Sequence, residues 1–202
     1  RPTRAVMAVA AAATVAGACA HASVTVTGTG VPAVVWTECA DRLDRTYATA
    51  SLSGVAAHCG RMVVPLQWDD PDRSGTVRLA LVRLRSQDQH DRIGSLVINP
   101  GGPGGSGVDA AVLVWNELPR AIRERFDIVG FDPRGVGKSS PLVCSLFSFG
   151  SGIWFDTDPD DLVELHADAA EANRECAERR STMVPWINTV QTARDLDAIR
   201  AA

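Results

Sequence analysis

The chain has 202 residues, of which 46% are hydrophobic and 22% are charged, so it can form a folded domain with a core and does not have a disordered composition. Its net charge of −4, without a cluster of basic residues, argues against a nucleic acid as a partner. The sequence has no C-x-x-C pair and its four histidines are scattered, so we expect neither a metal nor another cofactor.

The first 22 residues have the pattern of a secretory signal peptide. Arg1 and Arg4 precede an apolar run over 5–18, and small residues surround candidate cleavage positions near residue 20. This run is shorter than a typical membrane-spanning helix, so we expect a secreted protein without a stable membrane anchor. The alternatives are an apolar core helix and a lipoprotein attached through Cys19. Residues 23–35 are expected to form a loose leader.

Four cysteines follow the predicted signal peptide, namely Cys39, Cys59, Cys144 and Cys176. An even number of cysteines in an exported chain favours two disulfides. Three connectivities exist, and we favour Cys39–Cys59 and Cys144–Cys176, which pair neighbours along the chain. The alternative is four buried thiols.

Two strands are predicted before residue 90. Residues 62–68 are largely apolar, and Pro65 among them suggests a strand at the edge of a sheet. Residues 69–75 have the composition of a turn, and residues 76–85 alternate between apolar and other side chains. The two segments are therefore predicted to form a hairpin.

The middle of the chain has the pattern of a strand–helix–strand unit. An apolar strand at 96–98 leads into a glycine-rich loop at 99–107, and a helix is predicted over 108–118. A second buried strand at 127–131 ends in another glycine-containing loop at 132–140. A right-handed βαβ unit places both loops at the carboxyl edge of the sheet, where open α/β proteins have their sites. The sequence therefore predicts an α/β fold.

Two helices are predicted in the last third of the chain. Asp158 and Pro159 form a typical helix start, with an acidic N-cap and proline in the first turn. Asn188 or Thr189 is expected to cap a final helix. The inner face of this last helix is predicted to carry Ala193, Leu196 and Ile199.

The glycine-rich loop has three interpretations. Residues 102–107 fit the dinucleotide pattern G-x-G-x-x-G, and residues 137–139 resemble the end of a phosphate-binding loop. However, Pro103 interrupts the first pattern, the second lacks its earlier glycine, and nicotinamide cofactors are intracellular. A structural interpretation is that the glycines only allow tight turns. The third is an oxyanion loop, whose backbone N–H groups stabilise the negative charge that develops in acyl transfer.

The two loops together resemble those of a known family. NPGGPGGSG at 99–107 and FDIVGFDPRGVGKSSP at 126–141 are similar to the secreted tripeptidyl aminopeptidases and their proline-iminopeptidase relatives, which are serine exopeptidases. The resemblance covers about residues 36–202 and includes DLDAIR at 195–200. It implies the first part of an α/β-hydrolase domain, with a central, mostly parallel sheet flanked by helices. The implied substrate of the whole enzyme is a peptide with a free N-terminus.

The resemblance also implies roles for individual loop residues. Gly102, with Gly101 as the neighbouring alternative, would donate a backbone N–H to the oxyanion. Gly104 and Gly105 would shape that loop. The residues of the second loop that would support the site, without taking part in the chemistry, are Asp132, Arg134 and Gly135.

The catalytic triad of that family has no counterpart in these 202 residues. No G-x-S-x-G nucleophile elbow occurs, since the segment around Ser106 fails at its last position and Ser151 has glycines directly beside it. We therefore expect the N-terminal portion of an exported exopeptidase, inactive by itself because it lacks the nucleophile, acid, base and cap. The alternatives are another α/β-hydrolase, such as an esterase or epoxide hydrolase, and a non-catalytic exported binding module.

Overall fold

The structure is a computed structural model, and the part of the chain that it describes consists of residues 32–46, 52–102, 104–143, 159–180 and 182–202. The predicted signal peptide with Cys19, the predicted helix cap Asp158, and Cys144 lie outside these residues. Within the described ranges, no helix is both long and apolar enough to cross a membrane.

Five strands form one sheet in the spatial order β1-β2-β3-β5-β4. Three neighbouring pairs are antiparallel, and the pair of β4 with β5 is parallel. The predicted α/β architecture is confirmed, but over the described strands the sheet is mixed rather than mostly parallel, because the N-terminal strands join it through antiparallel pairing. The strands are β1 (Val35–Glu38), β2 (Val55–Pro65), β3 (Thr76–Ser86), β4 (Gly94–Ile98) and β5 (Phe126–Phe131).

The predicted hairpin is present as the β2–β3 pair, although β2 differs from its prediction. It begins at Val55, seven residues early, and ends at Pro65, so the turn starts sooner than expected. The prediction of an edge strand is wrong for β2 as a whole, since β2 lies between β1 and β3. Pro65 is still tolerated because β1 pairs only with residues 58–61 of β2, so its missing N–H breaks no bond to β1.

The helices confirm most of the predicted boundaries. The predicted helix at 108–118 is α2, and the final helix, α5, is capped by Asn188, whose Oδ1 accepts from the Gln191 N–H at 3.0 Å. A short 3₁₀ helix, Val184–Trp186, precedes α5. The α-helices are α1 (Ala40–Thr46), α2 (Gly107–Glu117), α3 (Arg120–Arg123), α4 (Pro159–Arg179) and α5 (Thr189–Ala201).

The two faces of the sheet carry separate cores. Because side chains alternate along a strand, Val82 and Leu84 of β3 face α2, whereas Leu79 and Leu81 face the other side. The second side is covered by α5, with Ile199 packed among the strand residues. The buried residues that α2 contributes to the first core are Val108, Ala111, Val112 and Trp115.

The first predicted disulfide is confirmed. Cys39 and Cys59 are bonded, with their Cα atoms 5.7 Å apart, and this bond ties the start of α1 to β2. Cys176 also forms a disulfide. Because Cys144 is not among the described residues, its pairing with Cys176 stays a prediction.

Glycines allow α2 to begin directly against the end of β5. A Cβ atom on Gly130 of β5 would lie 2.2 Å from the Gly107 carbonyl oxygen. A Cβ on Gly107 would lie 2.0 Å from the carbonyl oxygen of Phe131. Since neither separation is sterically allowed, these two glycines fix how closely the helix start, and therefore the loop before it, approaches the strand.

We expect Gly130→Ala to lower the free energy of unfolding by about 1–3 kcal/mol or more, because the added methyl group must push α2 away from β5. The measurement is urea denaturation followed by circular dichroism. Gly94→Ala on β4 is the matched control, since a Cβ there meets no atom within 4 Å. Equal stability of the two variants would contradict this packing argument.

A buried carboxylate joins three segments at the other end of the sheet. The side chain of Asp127 on β5 is 1% exposed and receives two hydrogen bonds from Arg85, of 3.0 and 2.9 Å, and one from Arg92 of 3.0 Å. Burial opposes the ionisation of Asp127, but the hydrogen bonds and charges of Arg85 and Arg92 outweigh it and hold the pKa of Asp127 below its ordinary value of 3.8.

The lowered pKa predicts the direction of a pH effect. The stability that ionised Asp127 contributes is complete above its unfolded-state pKa and is lost as the pH falls through the lower folded-state pKa. We therefore expect Asp127→Asn to be less stable than wild type at about pH 7, with the gap narrowing below about pH 4. Urea denaturation over this pH range measures the difference in free energy of unfolding, and Asp91→Asn, at an exposed position, is the control. A gap that stays constant to about pH 2 would contradict the assignment.

Candidate active site

The loop between β4 and α2 has a backbone that glycine alone adopts easily. Gly101, Gly102 and Gly104 have φ angles of 79°, 123° and 93°, in the region that side-chain-bearing residues avoid. The Gly105 N–H donates to the Gly101 carbonyl oxygen at 3.0 Å and closes a tight turn. The predicted glycine-rich loop is therefore a defined turn that directly precedes α2.

This turn leaves backbone donors exposed to solvent. Gly101, Gly102 and Gly104 are exposed, and their N–H groups donate to no acceptor in the part of the chain that the structure describes. Backbone N–H groups held in a fixed turn can bind an anionic oxygen without reorganising. The loop thus has the donors that an oxyanion site needs.

The second loop, after β5, is folded back on itself. The Gly135 N–H donates to the Ser139 carbonyl oxygen at 2.9 Å, and the Leu142 N–H donates to the Gly135 carbonyl oxygen at 2.8 Å. Gly135 and Gly137 have φ angles of 82° and 52°. A Cβ on Gly137 would lie 2.3 Å from Oδ2 of Asp132, so glycine is needed for the loop to wrap around this carboxylate.

The buried carboxylate of Asp132 connects the two loops. Its Oδ1 accepts from the Ser106 hydroxyl at 2.6 Å and from the Val108 N–H at 3.2 Å, and its Oδ2 accepts from the Lys138 N–H at 2.8 Å. The Asp132 carbonyl oxygen accepts from the Ser139 hydroxyl at 2.6 Å. One residue therefore holds the start of α2 and both loops in a single arrangement.

Arg134 of the second loop forms a buried ion pair with α5. Its Nε and Nη2 donate to the two carboxylate oxygens of Asp195 at 2.7 and 2.6 Å, and both side chains are 0% exposed. Arg134 also donates to the carbonyl oxygens of Leu66 at 2.7 Å and Pro65 at 3.2 Å. Hence the second loop, the end of β2 and α5 meet at one guanidinium.

The buried face of α5 is more polar than predicted. Trp68 donates from Nε1 to Asp195 at 2.9 Å and from its backbone N–H to Gln191 at 3.0 Å. Ile199 is buried as expected, but the prediction that Ala193 lies on the inner face is wrong, because Gln191 and Asp195 occupy that face and Ala193 is exposed. Gln191 and Asp195 are spaced i, i+4 and so share one face of the helix, but the sequence did not indicate that this polar face is buried.

The structure therefore separates the predicted site residues into two groups. Gly101, Gly102 and Gly104 are the exposed residues of the turn, Gly105 is half-buried at its end, and Asp132 is linked to the turn through Ser106. Arg134 contacts α5, and a Cβ on Gly135 would lie 2.4 Å from Ile187, so these two residues pack the second loop against α5 and the segment before it. Sequence reasoning missed the contributions of Ser106 and Asp195. Within the described residues, no cluster of three or more potential ligands could hold a metal.

Comparisons with known proteins identify several relatives. The family model described as alpha/beta hydrolase fold matches residues 94–202, which include both loops and α5. The chain is 38% identical over 162 residues to Serine protease Hip1 of Mycobacterium tuberculosis, covering 72% of this chain and 29% of that protein. It is 39% identical over 155 residues to Tripeptidyl aminopeptidase of Streptomyces coelicolor, covering 71% and 28%.

A third relative has a different name. The chain is 32% identical over 154 residues to Carboxylesterase B of Mycobacterium tuberculosis, covering 72% of this chain and 29% of that protein. The chain thus spans less than a third of the length of each of these three curated relatives.

We expect Asp195→Asn to lower the free energy of unfolding by about 3–5 kcal/mol, because it leaves the Arg134 guanidinium buried without a counter-charge. Asp197→Asn, two residues along the same helix, is the matched control. Asp197 pairs with Arg200 at the surface, where both side chains are more than 70% exposed, so its removal should change stability little. Chemical denaturation measures both variants, and similar losses would refute the special role of the buried pair.

Proposed function

The chain belongs to the α/β-hydrolase fold family, and from this premise we propose that it forms the first part of an exported serine exopeptidase that acts as a tripeptidyl aminopeptidase. In this proposal residues 1–22 are the signal peptide, 23–35 the leader, of which the last residue already belongs to β1, and 36–202 the first part of the hydrolase domain. The observation that carries it is that Gly101, Gly102 and Gly104 are exposed, and that their N–H groups donate to no acceptor among the described residues, in a turn that is linked to Asp132 through Ser106.

We assign the glycine turn to the oxyanion. Attack on a peptide carbonyl converts its oxygen into an oxyanion, which fixed N–H donors stabilise more strongly than they stabilise the substrate. Gly102 supplies the donor, with Gly101 as the alternative, and Gly104 and Gly105 give the turn its shape. Asp132 holds the turn in place through its hydrogen bonds to Ser106 and Val108 at the start of α2.

In this proposal the remaining catalytic groups lie elsewhere in a longer polypeptide. These 202 residues contain no G-x-S-x-G elbow for a serine nucleophile. In the complete enzyme a histidine would accept the serine proton and pass it to the leaving amine, and an acidic residue would orient that histidine. The present chain contributes charge stabilisation to this reaction, and it needs no cofactor for that role.

Export is supported by the disulfide chemistry of the chain. Cys39 and Cys59 are joined, and Cys176 is also disulfide-bonded. Disulfides persist in oxidising compartments and are rare in the cytosol, so they agree with the pattern of a signal peptide at the N-terminus. The relative named as a tripeptidyl aminopeptidase supports a peptide with a free N-terminus as substrate, and the disulfides support its hydrolysis outside the cytoplasm.

Ester hydrolysis is the second candidate function. It is favoured by the 32% identity to Carboxylesterase B, and esters and peptides pass through the same type of tetrahedral oxyanion. The peptidase proposal ranks first because the relatives named as a serine protease and a tripeptidyl aminopeptidase are more similar, at 38% and 39% identity.

The full-length protein, purified from its natural source, tests the proposal. We expect it to hydrolyse a tripeptide anilide, to lose this activity after treatment with a fluorophosphonate, and to act poorly on the same anilide when its N-terminus is acetylated. Comparison of kcat/KM with that for a short aryl ester separates the two functions. Hydrolysis of the ester without hydrolysis of the anilide would favour the esterase and reject the peptidase.

The assignment of Gly102 predicts a specific kinetic defect. An alanine at this position is strained at a φ of 123°, and its Cβ would lie 3.0 Å from the Gly105 nitrogen, so the turn must rearrange. We expect Gly102→Ala in the full-length enzyme to lower kcat by about 10²-fold or more with little change in KM. Gly94→Ala, at the far end of β4, should retain wild-type kinetics. An unchanged kcat in Gly102→Ala would contradict the oxyanion assignment.

A further inference from the structure

We propose that Ser106 is a positioning residue, whose hydroxyl holds the oxyanion turn in its active geometry by linking it to Asp132. This inference rests on the proposed function, and it concerns a residue that the G-x-S-x-G pattern excludes as the nucleophile. Its basis is the pair of hydrogen bonds that this one hydroxyl forms at the junction between the turn and α2.

The Ser106 hydroxyl satisfies two groups at once. Its oxygen accepts from the Asp109 N–H at 3.0 Å and so caps α2, while its hydrogen is donated to Oδ1 of Asp132 at 2.6 Å. A hydroxyl has one hydrogen and two lone pairs, so neither bond excludes the other. The bond to the carboxylate is short and charge-assisted, which makes it the stronger of the two.

The position of Ser106 allows it to control the turn. It follows Gly105 directly, and the Gly105 N–H closes the turn by donating to the Gly101 carbonyl oxygen at 3.0 Å. Four of the five residues at 101–105 are glycines, which have little intrinsic conformational preference, so the shape of the turn depends strongly on how its ends are held. Ser106 fixes the end that adjoins α2.

Asp132, the acceptor of the Ser106 hydroxyl, is itself held in a fixed position. Its side chain is buried, and its second oxygen accepts from the Lys138 N–H at 2.8 Å in the other loop. The Val108 N–H also reaches Oδ1, at the longer distance of 3.2 Å, so α2 keeps one contact with Asp132 without Ser106. Loss of the Ser106 hydroxyl should therefore loosen the turn and leave the packing of the sheet intact.

The contacts of Ser106 also distinguish this role from that of a nucleophile. A serine nucleophile passes its proton to a histidine, whereas the Ser106 hydrogen is directed at a buried carboxylate that two backbone N–H groups already stabilise. Asp132 therefore serves as a fixed acceptor. An effect of Ser106 on catalysis should pass through the positions of the glycine N–H groups.

The test uses Ser106→Ala, Ser106→Thr and a matched control in the full-length enzyme. Ser95→Ala removes a serine hydroxyl at the opposite end of β4, where it accepts from Arg92 at 3.0 Å. The substrate is a tripeptide anilide, and active sites are counted by fluorophosphonate titration. The inhibition constant of the matching tripeptide aldehyde, which forms an oxyanion when serine adds to it, reports on the oxyanion site.

We expect Ser106→Ala to lower kcat per titrated site by about tenfold or more with KM nearly unchanged, and to weaken aldehyde binding in parallel. Ser106→Thr keeps the hydroxyl, so we expect its kcat per titrated site and its affinity for the aldehyde to be close to those of wild type. Ser95→Ala should match wild type. If Ser106 only caps α2, Ser106→Ala will lower the melting temperature and the number of active sites but leave kcat per site at its wild-type value. That result overturns the inference and leaves the proposed function intact, whereas a wild-type enzyme without anilide hydrolysis refutes both.

Discussion

The hydrogen bonds to the buried carboxylate of Asp132 are the interaction on which the arrangement of the site depends. Oδ1 faces the start of α2 and Oδ2 faces the second loop, so the two loops cannot move independently without breaking a bond to a buried charge. The described hydrogen bonds to this carboxylate come from a hydroxyl and backbone N–H groups, two of them at or near the positive end of a helix. A charge stabilised in this way costs little side-chain entropy, because its donors are already fixed by the fold.

The other two buried carboxylates on the sheet and α5 are neutralised differently. Asp127 is paired with Arg85 and Arg92, and Asp195 with Arg134. Each of these ion pairs joins segments that are distant in the sequence. Removing one partner would be costly, because it leaves a buried charge without a counter-charge. The fold therefore uses ion pairs to fix how these elements pack, whereas at Asp132, next to the candidate site, the described donors are a hydroxyl and backbone N–H groups.

The features predicted correctly from the sequence are those encoded by neighbouring residues. The glycine turn, the strand at β5 and the cap at Asn188 follow from glycine, apolar runs and a side-chain acceptor placed next to the backbone that they affect. The pairing of Arg134 with Asp195 bridges 61 positions, and no local pattern indicates which distant partner a charged residue selects. For the same reason the burial of polar residues on α5 was missed, since an apolar-face argument assigns such residues to solvent.

The supports of the glycine turn lie within this chain, which has a consequence for its role. Gly107 and Gly130 set the start of α2, and Ser106, Asp132 and the Lys138 N–H fix the ends of the two loops. An oxyanion site is effective because its donors are oriented before the reaction begins, so that no free energy is spent on reorganising them. Since the described contacts that orient this turn lie within residues 94–202, a nucleophile from another part of the proposed longer enzyme would only need to be docked against it. The turn itself would not have to be formed by that docking.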